Sequence, residues 1–261
     1  MKAPLLQTTH PTRISIELVP RDAETLREEL RVVRESFASV NVINLPDLPR
    51  FPLRSWDGCA IAKAFFPHTI PHIRALDIPV DAPLLLPERL RAQGIGEILL
   101  VTGDPPAHGQ PPANASTVLQ AIRRFKEAMP ELRVYAALDP YRQGFQKEYD
   151  YLQQKLAAGA DGVFSQPFFD LRLMEMHGEM LAALSATMPV FFGVSPVTSE
   201  TSRAYWEKRN QVPFPRHFEP TLAWNQAFAR QALAFARSTQ THIYFMPIRT
   251  NVVHYLEGIL S

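Results

Sequence analysis

The sequence predicts a single (β/α)8 barrel domain over residues 1–261, an α/β fold with a closed parallel sheet. Three observations point there. Eight short β-rich runs alternate with longer stretches of helical periodicity. The clearest run, Glu97-Ile-Leu-Leu-Val-Thr102, is continuously apolar, as a strand covered on both faces must be. The chain has 261 residues, close to the roughly 250 that eight βα units use. Closure is inferred from the count of eight; a doubly wound sheet is the structural alternative.

The elements follow in order. Arg13–Leu18 reads as the first strand, ended by Pro20, and Asp22 caps a helix through Ser39 with Leu26, Leu30, Val33 and Phe37 on one face. Val40–Leu45 is the second strand, followed by a proline-rich loop and a short helix near Asp57–Phe65. Thr69–Arg74 is a weaker third strand. The helix Pro83–Gln93 closes on Gly94. After the fourth strand, Asn114 or Ser116 starts a helix to Met129. Leu132–Leu138 and Gly162–Ser165 are strands five and six, separated by the helix Phe145–Ala158. Asp170–Thr187 is the next helix and Val190–Val194 strand seven. Two helices follow, Ser199–Arg209 and Thr221–Ser238, then strand eight, His242–Met246, and a last helix, Asn251–Leu260.

The charge balance excludes several function classes. Lys plus Arg is 27 and Asp plus Glu is 26, a net charge of +1, so no global field draws nucleic acid or an anionic membrane. The hydrophobic fraction, 46%, is ordinary for a globular protein. Cys59 is the single cysteine, which rules out an internal disulfide and a cysteine-rich zinc site. His68 and His72 are four apart, but Pro71 and a β context argue against a helical metal pair, and no metal is expected. No apolar run approaches the roughly 18 residues of a membrane span. Met1–Pro11 lacks the basic and apolar regions of a secretory signal, so a cytoplasmic location is expected.

In a barrel, the residues ending each strand converge on one mouth. Here they are Glu17, Asn44, His72, Asp104, Asp139, Gln166, Ser195 and Arg249, mostly polar where packing alone requires no polarity. Glu17 interrupts an apolar strand, and burial raises a carboxyl pKa and makes it a proton donor near neutrality. A structural pair with Arg249 is the competing reading. In Thr102-Gly103-Asp104-Pro105-Pro106, glycine permits positive φ and close approach to a flat ligand, and the prolines stiffen the turn that carries Asp104. The Gln166 amide offers a donor and an acceptor for a heterocycle edge, with Phe168 and Phe169 as a candidate aromatic wall. Asp170 reads as a helix cap.

Taken in order, these segments resemble the methylenetetrahydrofolate reductase family. Ser15-Ile-Glu-Leu-Val-Pro20 is similar to its S-F-E-F-F-P strand, Ile70-Pro-His-Ile73 to A-P-H-L, and Leu100–Pro106 to its L-R-G-D-x-P turn. Ala158–Asp161 with Ser165–Asp170 is similar to D-A-G-A…T-Q-x-F-F-D, and Gly193–Val197 to G-I-x-P-V. Arg249 falls where the family has an N-R pair. The resemblance implies a flavin-containing barrel that carries hydride from NAD(P)H to 5,10-methylenetetrahydrofolate in one-carbon metabolism and methionine biosynthesis. It implies FAD, with FMN or no flavin as alternatives, and NAD(P)H as co-substrate. Glu17 would protonate the folate and Asp104 would tune charge at the rings. Gln166, Arg249 and Phe168 would contact folate. His72, Thr102, Gly103, Asp104, Asp139, Arg142, Glu148 and Lys155 would lie toward the flavin.

The chain departs from the family pattern at several points. Ile43-Asn44-Leu45-Pro46 replaces T-Y-G, Thr102 replaces an arginine, and Leu138–Arg142 replaces Y-P-E-x-H-P. Glu148 stands where the family has Asp. These positions ordinarily hold the flavin's ribityl, phosphate or adenosine portions, so Arg142 is a candidate replacement. Two other readings use the same barrel: a flavin-independent folate-dependent C1 or methyl-transfer enzyme, and a folate-binding subunit. Expected partners are folate and reduced nicotinamide, with a homo-oligomer compatible and neither nucleic acid nor membrane.

Overall fold

The computed structural model describes residues 11–105 and 114–260. Its sheet is a closed barrel of eight parallel strands in sequence order. These are β1 (Ile14–Glu17), β2 (Val42–Leu45), β3 (His68–Arg74), β4 (Glu97–Val101), β5 (Arg133–Leu138), β6 (Gly162–Phe168), β7 (Val190–Val194) and β8 (His242–Phe245). Pairing of β1 with β8 closes the ring. The helices are α1 (Ala23–Ser36), α2 (Ser55–Ala62), α3 (Leu86–Ala92), α4 (Val118–Ala128), α5 (Phe145–Ala157), α6 (Leu171–Leu184), α7 (Glu200–Asn210), α8 (Leu222–Thr239) and α9 (Val252–Leu256). Pro106, placed by sequence in the stiff turn after β4, lies outside the described residues, as does the leading segment 1–10. No helix among the described residues is long and apolar enough to cross a membrane.

Local chemistry sets the helix starts. Asp22 accepts from the Thr25 amide at 2.8 Å and Asp170 from the Arg172 amide at 2.8 Å, both as expected of cap residues. The helix expected from Asn114 or Ser116 instead begins at Val118. Thr117 and Gln120 form a reciprocal capping box there. Asn114 and Ser116 are engaged elsewhere, pairing through their backbones with Val80 and Ile78 at 2.8 Å each.

Strand alternation sorts the side chains into two cores. Ile16, Ile43, Ile98, Val163 and Phe192 face outward into the layer between sheet and helices. Val42, Ile70, Leu99, Tyr135, Phe164, Phe191 and Tyr244 fill the interior. The interior aromatics need space opposite them, and glycines supply it. A Cβ on Gly162 would meet the Tyr135 ring at 2.7 Å, and one on Gly193 the Tyr244 ring at 2.7 Å. Phe164 and Phe191 stack between, with centroids 4.2 Å apart.

The sixth strand differs most from expectation. It runs to Phe168 rather than ending at Ser165, and its register to β7 slips between Phe164 and Pro167. Phe164 pairs with Phe191 but Pro167 with Gly193, so one extra residue is accommodated as a bulge. Ser165 ties it down: its Oγ accepts from the Gly193 amide at 2.9 Å and its carbonyl from the Tyr244 hydroxyl at 2.6 Å. Pro167 is tolerated because a bulge relieves the ladder of a donor.

Filling the space at Gly162 should be costly. Gly162→Ala is expected to lower the unfolding free energy by about 1–3 kcal/mol through overpacking against Tyr135 and the Pro189 carbonyl. Gly96→Ala, whose added carbon meets nothing within 4 Å, should stay within about 0.5 kcal/mol. Denaturant titration of both variants checks this, and equal effects would count against the packing account.

Candidate active site

The C-terminal ends of the strands open into a cavity of about 490 Å³, floored by Leu99, Phe164 and Tyr244. Its wall carries Glu17, His72, Thr102, Gly103, Asp104, Asp139, Arg142, Lys155 and Gln166, nine of the sequence-nominated residues. A similarly large cleft against α6 and α8 gathers none of these nine.

Glu17 ends β1 with its side chain 11% exposed. Asn44 Nδ2, on the neighbouring β2, donates to its Oε2 at 2.9 Å and lies 3.1 Å from His72 Nε2. The Asn44 Oδ1 accepts from Ser15 Oγ at 2.7 Å. Strand register explains the cluster: Glu17 lies directly opposite Asn44, and β2 passes the amide on to β3. Burial pushes the Glu17 carboxyl up to about 7, against a smaller downward pull from the Asn44 donor. Burial likewise drives His72 down to about 3, outweighing the attraction of Asp47, so its ring is neutral. His72 Nε2 is 3.8 Å from Glu17 Oε2, but a neutral ring makes no ion pair. Arg249, the alternative partner, is exposed after β8 with φ 54° and makes no ion pair with Glu17. It lines a second, smaller chamber that Glu17 also borders.

The turn after β4 is held from behind. Gly103 has φ 88°, and a Cβ there would lie 3.0 Å from the Arg74 side chain. Arg74 Nη2 donates to the Asp104 carbonyl at 2.9 Å. The Asp104 carboxylate is exposed and has no partner among the described residues, so it is free to face a ligand.

On the β5 side, Lys155 reaches up from α5 and donates to the Ala137 carbonyl at 2.6 Å. Its side chain is 3% exposed, and burial lowers it to about 8 despite Glu148 3.7 Å away. Glu148 does not reach the cavity, contrary to its expected place toward a cofactor. Its two oxygens are consumed by the Asp139 amide at 3.0 Å, Gln143 Nε2 at 2.8 Å, Arg142 at 3.3 Å and Lys155. It anchors the β5 loop that presents Asp139 and Arg142. Burial raises the Asp139 carboxyl, with the Tyr141 amide pulling it back.

Gln166 stands exposed in the β6 bulge and faces the cavity. Phe168 does not. Simple alternation would put residues 162, 164, 166 and 168 on one face, but the extra residue reverses the parity beyond it. Phe168 is therefore fully buried outside the barrel, against His177 and Phe192. Phe169 is buried against Trp206 and Phe214 beneath α7. Neither forms the aromatic wall expected for a ring ligand.

The sequence reading passed over several cavity residues. Arg209 and Asn210, at the end of α7, close one side. Their signal was the supernumerary helix between strand seven and the α8 stretch, since an extra helix in one βα unit belongs over the mouth. Arg74 and Tyr244 follow from inward parity on β3 and β8. His68 begins β3 and His72 lies four residues along the same extended strand, and among the described residues no cluster could hold a metal ion.

The raised Glu17 carboxyl makes stability depend on pH. In the unfolded chain Glu17 deprotonates near pH 4.5, whereas in the fold it keeps its proton to about 7. Its contribution is therefore full below pH 4.5 and lost as pH rises to about 7. Relative to the native chain, Glu17→Gln should gain on the order of 3 kcal/mol across that window and level off above it. Unfolding curves at several pH values check this; a pH-independent difference would show an ordinary carboxylate.

The family model for methylenetetrahydrofolate reductase matches residues 59–240. This stretch holds His72, the Thr102–Asp104 turn, Lys155 and Gln166, while Glu17, Asn44 and Arg249 lie outside it. The 5,10-methylenetetrahydrofolate reductase of Escherichia coli is 23% identical over 130 residues, 49% of this chain and 44% of that protein. A probable methylenetetrahydrofolate reductase (NADPH) of Caenorhabditis elegans is 26% identical over 136 residues, 50% of this chain and 20% of that one. The match thus spans less than half the length of either relative. Among solved structures, an uncharacterized Clostridium thermocellum protein described as binding two copies of 5-methyl-5,6,7,8-tetrahydrofolic acid superposes with a TM-score of 0.65. It is 11% identical, over 96% of this chain and 94% of that one, a likeness of fold. With most of the chain matched by one family model and the strand-end residues gathered in one mouth, this chain belongs to the methylenetetrahydrofolate reductase family.

Proposed function

We propose that the barrel is an oxidoreductase that reduces the methylene bridge of 5,10-methylenetetrahydrofolate, with NAD(P)H as the reductant and Glu17 as the acid. The observation that carries this is Glu17 itself. It is a mouth carboxyl held up to about 7 by burial, with Oε2 engaged by Asn44 and Oε1 without a partner among the described residues. Such a group is protonated in a useful fraction at neutral pH and donates to a ring nitrogen, opening the bridge toward the electrophilic iminium. Gln166 offers donor and acceptor to a pterin edge across the cavity, and the free Asp104 carboxylate supplies charge beside it. Arg249, in the chamber on the other side of Glu17, suits the anionic end of a folate.

The donor set on the β3–β5 side fits a flavin. His72, Thr102, Gly103 and Lys155 line the cavity together with Ala137, whose small side chain leaves room for a flat ring. Arg142 and Arg209 offer charge for a phosphate. When bound, a flavin supplies stepwise hydride relay between nicotinamide and folate, and FAD is the form we propose. The chain's own share is to bind and orient the folate, hold the proton on Glu17 and exclude bulk water from a floor of Leu99, Phe164 and Tyr244.

A second reading, flavin-independent methyl transfer from folate, draws on Glu148. That carboxylate is sealed beneath the β5 loop rather than turned to the cavity. The purified protein distinguishes the two. Flavin absorbance near about 450 nm, native or after reconstitution, is expected. A protein that takes up neither FAD nor FMN overturns the flavin reading. Glu17→Gln should then reduce folate turnover by about 100-fold or more while nicotinamide oxidation by an artificial acceptor survives. Equal loss of both half-reactions would remove Glu17 from the folate step.

A further inference from the structure

We propose that Asn44 is the positioning residue of this mouth: its amide reserves Oε2 of Glu17 as an acceptor, so that the acid's proton is confined to Oε1, and holds His72 with Nε2 unprotonated. The role follows from counting donors and acceptors. A primary amide has two N–H donors and one carbonyl acceptor. In Asn44 the carbonyl accepts from Ser15 Oγ at 2.7 Å, and the amino group faces Glu17 Oε2 at 2.9 Å and His72 Nε2 at 3.1 Å. Both N–H donors and the carbonyl of the amide are thus used, in a residue that is itself fully buried.

Each contact constrains a proton. Oε2 of Glu17 receives an N–H, so a proton on that oxygen would oppose a donor. Oε1 has no hydrogen-bond partner among the described residues, yet it is not a sealed, unsatisfied atom, and Glu17 borders both chambers. The acid therefore presents its O–H from Oε1. When that O–H bond breaks and the proton passes to a ligand nitrogen, the pair left on the carboxylate remains stabilised by the Asn44 N–H. His72, accepting at Nε2, carries its proton on Nδ1 and cannot compete for the Glu17 proton. A flipped amide would set its carbonyl against the Glu17 carboxylate and require His72 as the Nε2–H tautomer. The Ser15 hydroxyl suits either orientation, so the His72 tautomer reports which one holds.

The surroundings leave this amide as the main polar influence on Glu17. On the mouth side the carboxyl faces His72, Asp47, Arg74 and Tyr244; on the other it faces Arg21, Glu28, Glu29 and Arg249. Among the described basic residues only His72 comes within 4.0 Å of its oxygens. Arg21 is committed to Glu29 at 3.0 Å, and Arg74 to the Asp104 carbonyl.

The proposal rests on Glu17 as the folate acid for its catalytic meaning, but two of its readouts do not. Nitrogen-15 NMR of the protein, with His72 assigned by comparison with His72→Gln, reports the tautomer. Infrared titration of the protonated carboxyl band, assigned by its loss in Glu17→Gln, reports Glu17. In the native chain His72 is expected as Nδ1–H from about pH 5 to about pH 9. Asn44→Leu should raise the Glu17 midpoint above its native value, because a donor to the charged form is lost. Asn44→Asp, which keeps the shape should the leucine variant fail to fold, places an acceptor beside both groups. It should switch His72 to Nε2–H and raise the Glu17 midpoint. In turnover, Asn44→Asp should cost kcat for folate reduction about tenfold or more with KM nearly unchanged. An Nε2–H tautomer in the native chain, or an unmoved tautomer and Glu17 midpoint in Asn44→Asp, overturns the proposal. Absence of folate turnover in the native chain would instead sink the reductase reading and leave the spectroscopic test standing.

Discussion

Tyr244 inside the barrel is the contact on which the rest of the mouth depends. Its ring occupies the space that Gly193 leaves by having no Cβ, and its hydroxyl donates to the Ser165 carbonyl in the β6 bulge. The same ring, with Phe164 and Leu99, is the floor of the cavity. A polar residue above that floor rests on apolar surface and loses most of its water. This is why a glutamate and a histidine, ordinary residue types, titrate so far from their usual ranges here. The aromatic filling that stabilises the barrel also creates the low-dielectric platform that makes the site chemical.

The bulge is equally a consequence of packing. Phe164 must stack on Phe191, and Pro167 cannot contribute an N–H to a regular ladder, so β6 takes in one extra residue between them. Gln166 is thereby delivered to the mouth and Phe168 turned to the outside. Tyr141 donates from its hydroxyl to the Pro167 carbonyl at 2.9 Å, pinning the β5 loop to the far end of the bulge. The β5 loop is held at its near end by Glu148. Two loops that approach one ligand space are therefore fixed by groups that never enter it, which spares the ligand the cost of ordering them.

How far the sequence discloses this depends on the range of the interaction. Strand and helix positions are set by local periodicity, and Val190–Val194 is bounded by structure where the apolar run begins and ends. Glu17 is legible because one carboxylate in an apolar strand is a local anomaly. Phe168 is not, because its facing depends on a register slip against a strand that lies over twenty residues downstream. Glu148 is misplaced for a similar reason: its helix position is legible, but four partners from the loop and from α5 decide where its oxygens point. The start of α4 moves to Val118, capped by Thr117, because Asn114 and Ser116 are drawn into backbone pairing with a segment before α3. Asn44 was visible as a strand end, but its importance appears only when β1 and β3 flank it.

The two ends of the barrel show what distinguishes a structural carboxylate from a chemical one. Glu97, at the N-terminal end, is buried much like Glu17, and burial alone would raise it. It instead lies below the usual range. Arg13 grips it with two hydrogen bonds, at 2.8 and 2.9 Å, and the Tyr135 hydroxyl adds a third at 2.8 Å. Desolvation is offset there by a bidentate cation, and the result is an ionised cross-link that ties β1 to β4 and β5. At the other end the same residue type meets an amide and a neutral imidazole, and desolvation wins. In one fold the protonation of these two glutamates thus moves in opposite directions, decided by whether a guanidinium stands opposite. A packing requirement alone favours the first arrangement. The second keeps a neutral acid beside an open cavity, which costs stability as pH rises, and it is this arrangement that we propose serves to give a proton away.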